Sequence, residues 1–108
     1  MDYGDGIKPP DGFTGLWQCY WPNGRIKVRF EYSDGKRHGR QECWWDNGKL
    51  CQEGMCENDE CVGVWRSYLR DGRFFKEEEF YRPKSFDVRW YEGDRLIRVQ
   101  RFRDWIEI

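Results

Sequence analysis

A chain whose turn residues recur at a fixed interval must build one small unit repeatedly, and here the interval is 24 residues. Gly15, Gly39 and Gly63 keep that spacing, as do the pairs Asn23-Gly24, Asn47-Gly48 and Asp71-Gly72. Behind each pair comes a base (Arg25, Lys49, Arg73) and then an apolar residue (Ile26, Leu50, Phe74). Ahead of each pair stand Tyr20, Trp44 and Tyr68 in one column and Trp21, Trp45 and Leu69 in the next.

Asn-Gly or Asp-Gly between alternating runs signals a β-hairpin, because a type I′ turn needs positive φ at both central residues. After Gly24 the residues Ile26, Val28, Phe30 and Tyr32 fall on one face, and Arg25, Lys27, Arg29 and Glu31 on the other. That alternation describes a half-buried strand. A second turn follows at Ser33-Asp34-Gly35-Lys36 and at Glu57-Asn58-Asp59-Glu60. Strands are therefore expected near 15–21, 25–32, 39–45, 49–56, 62–69 and 73–81, with a further hairpin at about 86–91 and 95–102. The expected fold is all-β: a meander of antiparallel hairpins in an elongated, twisted single-sheet repeat array. Residues 1–14 form an irregular lead-in, 15–81 the three units, and 82–108 a degenerate capping hairpin and tail. Pro83 and Lys84 break the rhythm, and Trp105, Ile106 and Ile108 are expected to fold back over the last strand.

Twenty aromatic residues supply enough apolar area for a 108-residue chain to fold despite its many charges. Nineteen basic and twenty acidic residues nearly cancel, so no global field draws the chain to nucleic acid or anionic lipid. No apolar run approaches membrane-spanning length, and the first residues lack the pattern of an export signal. With five cysteines, an odd number, the expected location is cytoplasmic, with reduced thiols. Cys51, Cys56 and Cys61 do not keep a common zinc spacing, and His38 is the sole histidine, so no metal or cofactor is expected. Cys56 and Cys61 flank a turn, where a disulfide is geometrically possible but is the minority reading.

The stretches Trp21-Pro22-Asn23-Gly24-Arg25-Ile26, Trp45-Asp46-Asn47-Gly48-Lys49-Leu50 and Leu69-Arg70-Asp71-Gly72-Arg73-Phe74, with Asp34-Gly35-Lys36-Arg37-His38-Gly39, resemble the variant MORN-repeat family over about 15–81. The resemblance implies an elongated, twisted hairpin meander whose motif residues determine the fold. Bacterial proteins of this kind are often grouped as YwqK-like antitoxins, and other MORN proteins act as scaffolds or associate with membrane lipids. The Gly-Lys-x-x-Gly segment weakens at Asp59-Glu60-Cys61-Val62-Gly63 and is absent near Arg82-Pro83-Lys84.

Nothing assembles a catalytic set. His38 sits in a turn segment, and Glu77, Glu78 and Glu79 alternate between strand faces, so no carboxylate pair is singled out. The chain is read as a non-enzyme. Trp21, Trp45 and Leu69 share parity with Trp17, Cys19, Cys43 and Trp65 and form the inward set. Tyr20, Trp44 and Tyr68 then make a ladder on the other face, which either packs against neighbouring hairpins or is a partly exposed binding strip. The candidate binding residues are these three with Glu57, Asp59, Glu60 and Glu77 at the rim. An Arg-rich end (Arg82, Lys84, Arg89, Arg95, Arg98, Arg101, Arg103) is interleaved with acids. The expected partner is a protein, such as a toxin or other basic protein, occluded in the manner of an antitoxin, immunity or inhibitor protein. A scaffold or lipid-surface module and a nucleic-acid binder are the alternatives, nucleic acid the less favoured. Homo-oligomers through sheet edges also stay open.

Overall fold

The computed structural model describes residues 9–82 and 84–108. The lead-in at 1–8 and the break at Pro83 fall outside the described residues. The strands are β1 (Gly15–Tyr20), β2 (Ile26–Ser33), β3 (Lys36–Trp44), β4 (Leu50–Glu57), β5 (Glu60–Tyr68), β6 (Phe74–Arg82), β7 (Ser85–Glu92), β8 (Arg95–Arg103) and β9 (Ile106–Glu107). Each pairs antiparallel with its sequence neighbours, and together they make one open nine-stranded meander. Nine strands about 4.8 Å apart account for the longest dimension, in a body measuring 39 × 32 × 19 Å. The sheet is thus only slightly longer than it is tall.

The turns divide into two kinds, and the Asn-Gly set is not type I′. Trp21 N–H bonds Arg25 O at 2.8 Å and Gly24 N–H bonds Trp21 O at 2.9 Å, which encloses three residues rather than two. Only the glycine has positive φ there (+87° at Gly24, +87° at Gly48, +95° at Gly72). Pro22 supplies the fixed φ that suits the first central position of a type I turn, and the glycine completes the reversal. The two-residue turns with paired positive φ are the second set, Asp34-Gly35 at 50° and 80° and Asn58-Asp59 at 49° and 70°.

A bulge in each even strand explains a second departure from simple alternation. Cys19 faces Val28 while Tyr20 faces Ile26, which makes Lys27 the extra residue. Cys51, Phe75 and Ile97 take the same role in β4, β6 and β8. Each bulge shifts the strand's facing by one residue. Ile26 therefore leaves the face of Val28 and Phe30, where the alternation placed it, and joins Tyr20. Lys27 goes the other way and lies over the Trp21 ring, 4.6 Å from its centroid. Four bulges near one edge also add local twist, which helps curl a single layer into a shape that shelters one face.

That sheltered side is the core face. Val28, Phe30, Cys43, Cys56, Trp65 and Val88 are buried on it, with Gln41 and Ser67. The closest fit lies at Gly54, where a Cβ would stand 2.1 Å from Cδ2 of the Trp65 indole. The same indole donates its N–H to Met55 O at 2.9 Å. Gln41 is fully buried and donates to Glu31 O and Gly39 O at the adjoining strand irregularity. Aromatic rings close both ends of the row. Phe13 meets Trp17 and Tyr32 edge-on at one end, and Phe86 stacks on Phe102 with Trp105 against it at the other. The C-terminus returns beside the last hairpin rather than over it: Ile106–Glu107 pairs with β8 as an edge strand, and Ile106 and Ile108 stay exposed.

Candidate functional site: the open face

Ion pairs and rings line the face opposite the core. Because paired residues share a face, the registers Tyr20–Ile26, Trp44–Leu50, Tyr68–Phe74 and Tyr91–Leu96 define one row across eight strands. The row alternates an aromatic from each odd strand with an aliphatic or Phe from each even strand. Tyr20 is 58% and Leu96 48% exposed, and the residues between them are half-buried. Phe74 packs between Tyr68 and Tyr91, with ring centroids 5.9 and 4.8 Å away. The Arg29 guanidinium covers Trp44 at 5.4 Å. The ladder anticipated from Tyr20, Trp44 and Tyr68 is thus one surface, and it both packs on its neighbours and stays open to solvent. Ile26, Leu50, Phe74, Tyr91 and Leu96 extend it; the bulges, which lie outside the reach of simple alternation, bring all of these but Tyr91 round.

Directly below runs a charged row. Arg29 pairs with Glu42 at 3.7 Å, and Arg40 bridges Glu42 and Glu53 at 3.4 and 2.8 Å. Farther on, Glu77 takes Arg66 at 3.3 Å and Arg89 at 2.9 Å. Arg89 also reaches Glu79 at 2.9 Å. Burial lowers the Arg89 pKa, but Glu79 and Glu77 outweigh it and hold the guanidinium charged. Tyr68 ties the two rows together by donating its hydroxyl to Glu53 at 2.6 Å. Burial first, and the Glu53 carboxylate second, push that phenol up to about 12. Glu77, a candidate contact, is therefore committed within the sheet.

The platform is stitched from unit to unit at its turns. Trp21 Nε1–H donates to Trp44 O, and Asn23 Nδ2–H to Asp46 O, at 3.1 and 2.8 Å. One unit later Trp45 donates to Tyr68 O and Asn47 to Arg70 O at the same distances. Meanwhile each Asn accepts its own turn's N–H on Oδ1 (Arg25, Lys49). In the third unit these positions hold Leu69 and Asp71, which lack the side-chain N–H; Asp71 bonds only within its turn, to Arg73. The loss of both donors in the last unit was readable in the columns, and it marks where the strict repeat ends. Along the opposite edge, Gly35 N–H bonds Phe13 O, Asp59 N–H bonds Arg37 O, and Trp105 N–H bonds Lys84 O.

Glu57, Asp59 and Glu60 stand at that opposite edge. The length of β4, from Leu50 to Glu57, separates them from Trp44 and Leu50 by about 23 Å at some 3.3 Å per residue. They do not rim the ladder. Asp59 is used structurally, accepting Arg37 N–H on Oδ1 at 2.7 Å. His38 accepts Asn58 N–H at 3.3 Å, a turn contact rather than a catalytic one. In the Arg-rich end, Arg89, Arg95, Arg101 and Arg103 all meet carboxylates. That pairing leaves less free cationic charge for phosphate. Burial raises the Asp87 pKa, but Tyr81 and Arg103 outweigh it and hold the carboxyl below the usual range. A cavity lined by Phe30, Arg37, Gln41 and Trp65 has a volume of about 10 Å³, room for one water and no substrate. Among the described residues no group of three potential ligands could hold a metal ion.

Two successive segments, residues 13–34 and 37–58, match the MORN repeat variant. Those two segments are similar to MORN repeats. The first matched segment spans β1, β2 and the following turn, and the second spans most of β3 and β4 with their loop. Unit three and the capping hairpin continue the same meander beyond the matched segments. No curated protein and no solved structure matches the chain. MORN repeats point to a binding or scaffold module, and the stitched sheet, with one sheltered and one open face, agrees with that class.

Proposed function

We propose that this chain is a cytoplasmic, non-catalytic protein-binding module that occludes a protein partner, in the manner of an antitoxin, immunity or inhibitor protein. The observation that carries the reading is the apolar row from Tyr20 to Leu96, bordered by the ion pairs of Arg40 with Glu53 and Arg89 with Glu77. Rings held by cross-strand packing lose little rotamer freedom on binding, and aromatic anchors dominate interface energetics. The paired charges give a partner register rather than a net field. The free thiols fit a reducing compartment. A partner that also touched the acidic turn Glu57–Glu60 would span the full height of the sheet. An interface of about 800 Å² a side, roughly 28 Å across, is wide enough.

The test compares tagged wild type with Tyr20→Ala/Trp44→Ala, both first shown to be folded. The expected result is one stoichiometric protein partner retained by wild type and bound at least tenfold more weakly by the variant. Equal retention by both sinks the reading. Flotation of wild type with anionic vesicles, abolished by the same substitutions, would replace it with a lipid-surface role.

A further inference from the structure

The five cysteines are free, and two of them face each other across a hairpin. Cys56 and Cys61 are direct cross-strand partners, one pair in from Glu57–Glu60, which closes the Asn58-Asp59 turn. Opposed residues of an antiparallel pair have Cα atoms about 4.5–5.5 Å apart, inside the range of about 4.4–6.8 Å that a disulfide accepts. The β4–β5 hairpin is already closed by its turn and ladder, and pinned to the preceding turn through Asp59 and Arg37. We infer that Cys56 and Cys61 form a thiol–disulfide exchange site, with Cys61 as the attacking sulfur and Cys56 as the resolving one.

The two positions are unequal in the way this chemistry requires. Cys56 is 1% exposed, whereas Cys61 is only partly buried. The thiols share a hydrogen bond: it draws Cys61 down to about 7 against the opposing effect of burial, and pushes Cys56 up. The Arg37 guanidinium favours the thiolate at both. A thiolate with a pKa near ambient pH is the effective nucleophile. Cys61 Sγ⁻ attacks one sulfur of a small-molecule disulfide, the S–S bond breaks, and one thiolate leaves. Cys56 then gives up its proton, its sulfur attacks Cys61 Sγ, and the second small thiolate departs. Two protein thiols lose two electrons, the small disulfide gains them, and the protons released protonate the leaving thiolates. Cys43 and Cys51 also share a hydrogen bond, but the register partner of Cys43 is Gln52, with Cys51 in the bulge. That pair is the internal control.

Wild-type protein is equilibrated in glutathione buffers of graded oxidised-to-reduced ratio, quenched in acid, alkylated and mapped after cleavage at Glu57 and Glu60, which separates the two cysteines. The expected result is a Cys56–Cys61 disulfide that forms at a lower ratio than any other pairing. Labelling of Cys61 should show a pH midpoint near 7. The variant Cys56→Ser should trap a stable glutathione adduct on Cys61, and Cys61→Ser should leave Cys56 unmodified. The inference is overturned if folded wild type forms no Cys56–Cys61 disulfide at any ratio. It is equally overturned if wild type accumulates the Cys61 adduct as Cys56→Ser does. The wild-type map decides the question even if a variant fails to fold.

Discussion

Gly54→Ala tests the packing that holds the two faces in register. The new methyl would stand 2.1, 2.3 and 2.4 Å from Cδ2, Cε2 and Cγ of Trp65. Carbon atoms prefer separations of about 3.5–4.0 Å, so the indole must retreat by more than an ångström. Trp65 is 7% exposed and flanked in register by Glu78, which leaves it little room. Overpacking of this kind costs about 2–3 kcal/mol. Retreat also breaks the Trp65 bond to Met55 O, worth about 1 kcal/mol. The sum, roughly 3–4 kcal/mol, is a large share of a small domain's stability. At a urea slope near 2 kcal/mol per molar, the midpoint should fall by about 1.5–2 M with the slope unchanged. Far-UV circular dichroism in urea reads this directly. In a Trp65→Leu background, where the smaller chain can turn aside, the same methyl should cost about 1 kcal/mol or less, a coupling of 2–3 kcal/mol. An equal cost in both backgrounds would refute the reasoning.

Three further outcomes follow from the same structure. Asn47→Asp keeps the bond from Lys49 N–H but loses the donor to Arg70 O, so thermal melting should show a loss near 1 kcal/mol, whereas Asp71→Asn should be nearly neutral. Spectrophotometric titration should reveal one phenol near 12, absent in Tyr68→Phe and moved down in Glu53→Gln. Because the folded value lies above the unfolded one, its contribution to stability is complete below about pH 10 and is lost as pH rises through the folded value. Asp87 has the opposite sign: its folded pKa is depressed, so its stabilisation is present above about pH 4 and fades as pH falls through the folded value. Asp87→Asn should therefore be less stable than wild type at neutral pH and should converge with it in strong acid.

The 24-residue columns carried the architecture because Gly and Asn-Gly punctuate the chain with local chemistry that tertiary packing does not override. The hairpins, their order and the face shared by Tyr20, Trp44 and Tyr68 are all legible that way. The bulges were not. An inserted residue has no compositional mark, and Lys27, Cys51 and Phe75 share no property that separates them from their neighbours. Alternation therefore put Ile26 on the wrong face and missed Leu50 and Phe74 as members of the apolar row. The turn type escapes the sequence pattern for a related reason: one more residue in the loop lets Asn23 keep negative φ and turn its side chain to the next unit. Composition alone groups the acidic residues with the ladder, while the length of β4 puts Glu57, Asp59 and Glu60 at the other edge.

The most direct measurement is a hydrogen-exchange footprint of the chain bound to its protein partner. Added protection is expected over 16–20, 42–44, 66–68 and 90–96, the strand ends that carry the rings, with little change at 34–35. Protection confined to 57–60 or to 98–103 would contradict the account, because it would move the contact from the apolar row to the acidic turn or the Arg-bearing edge.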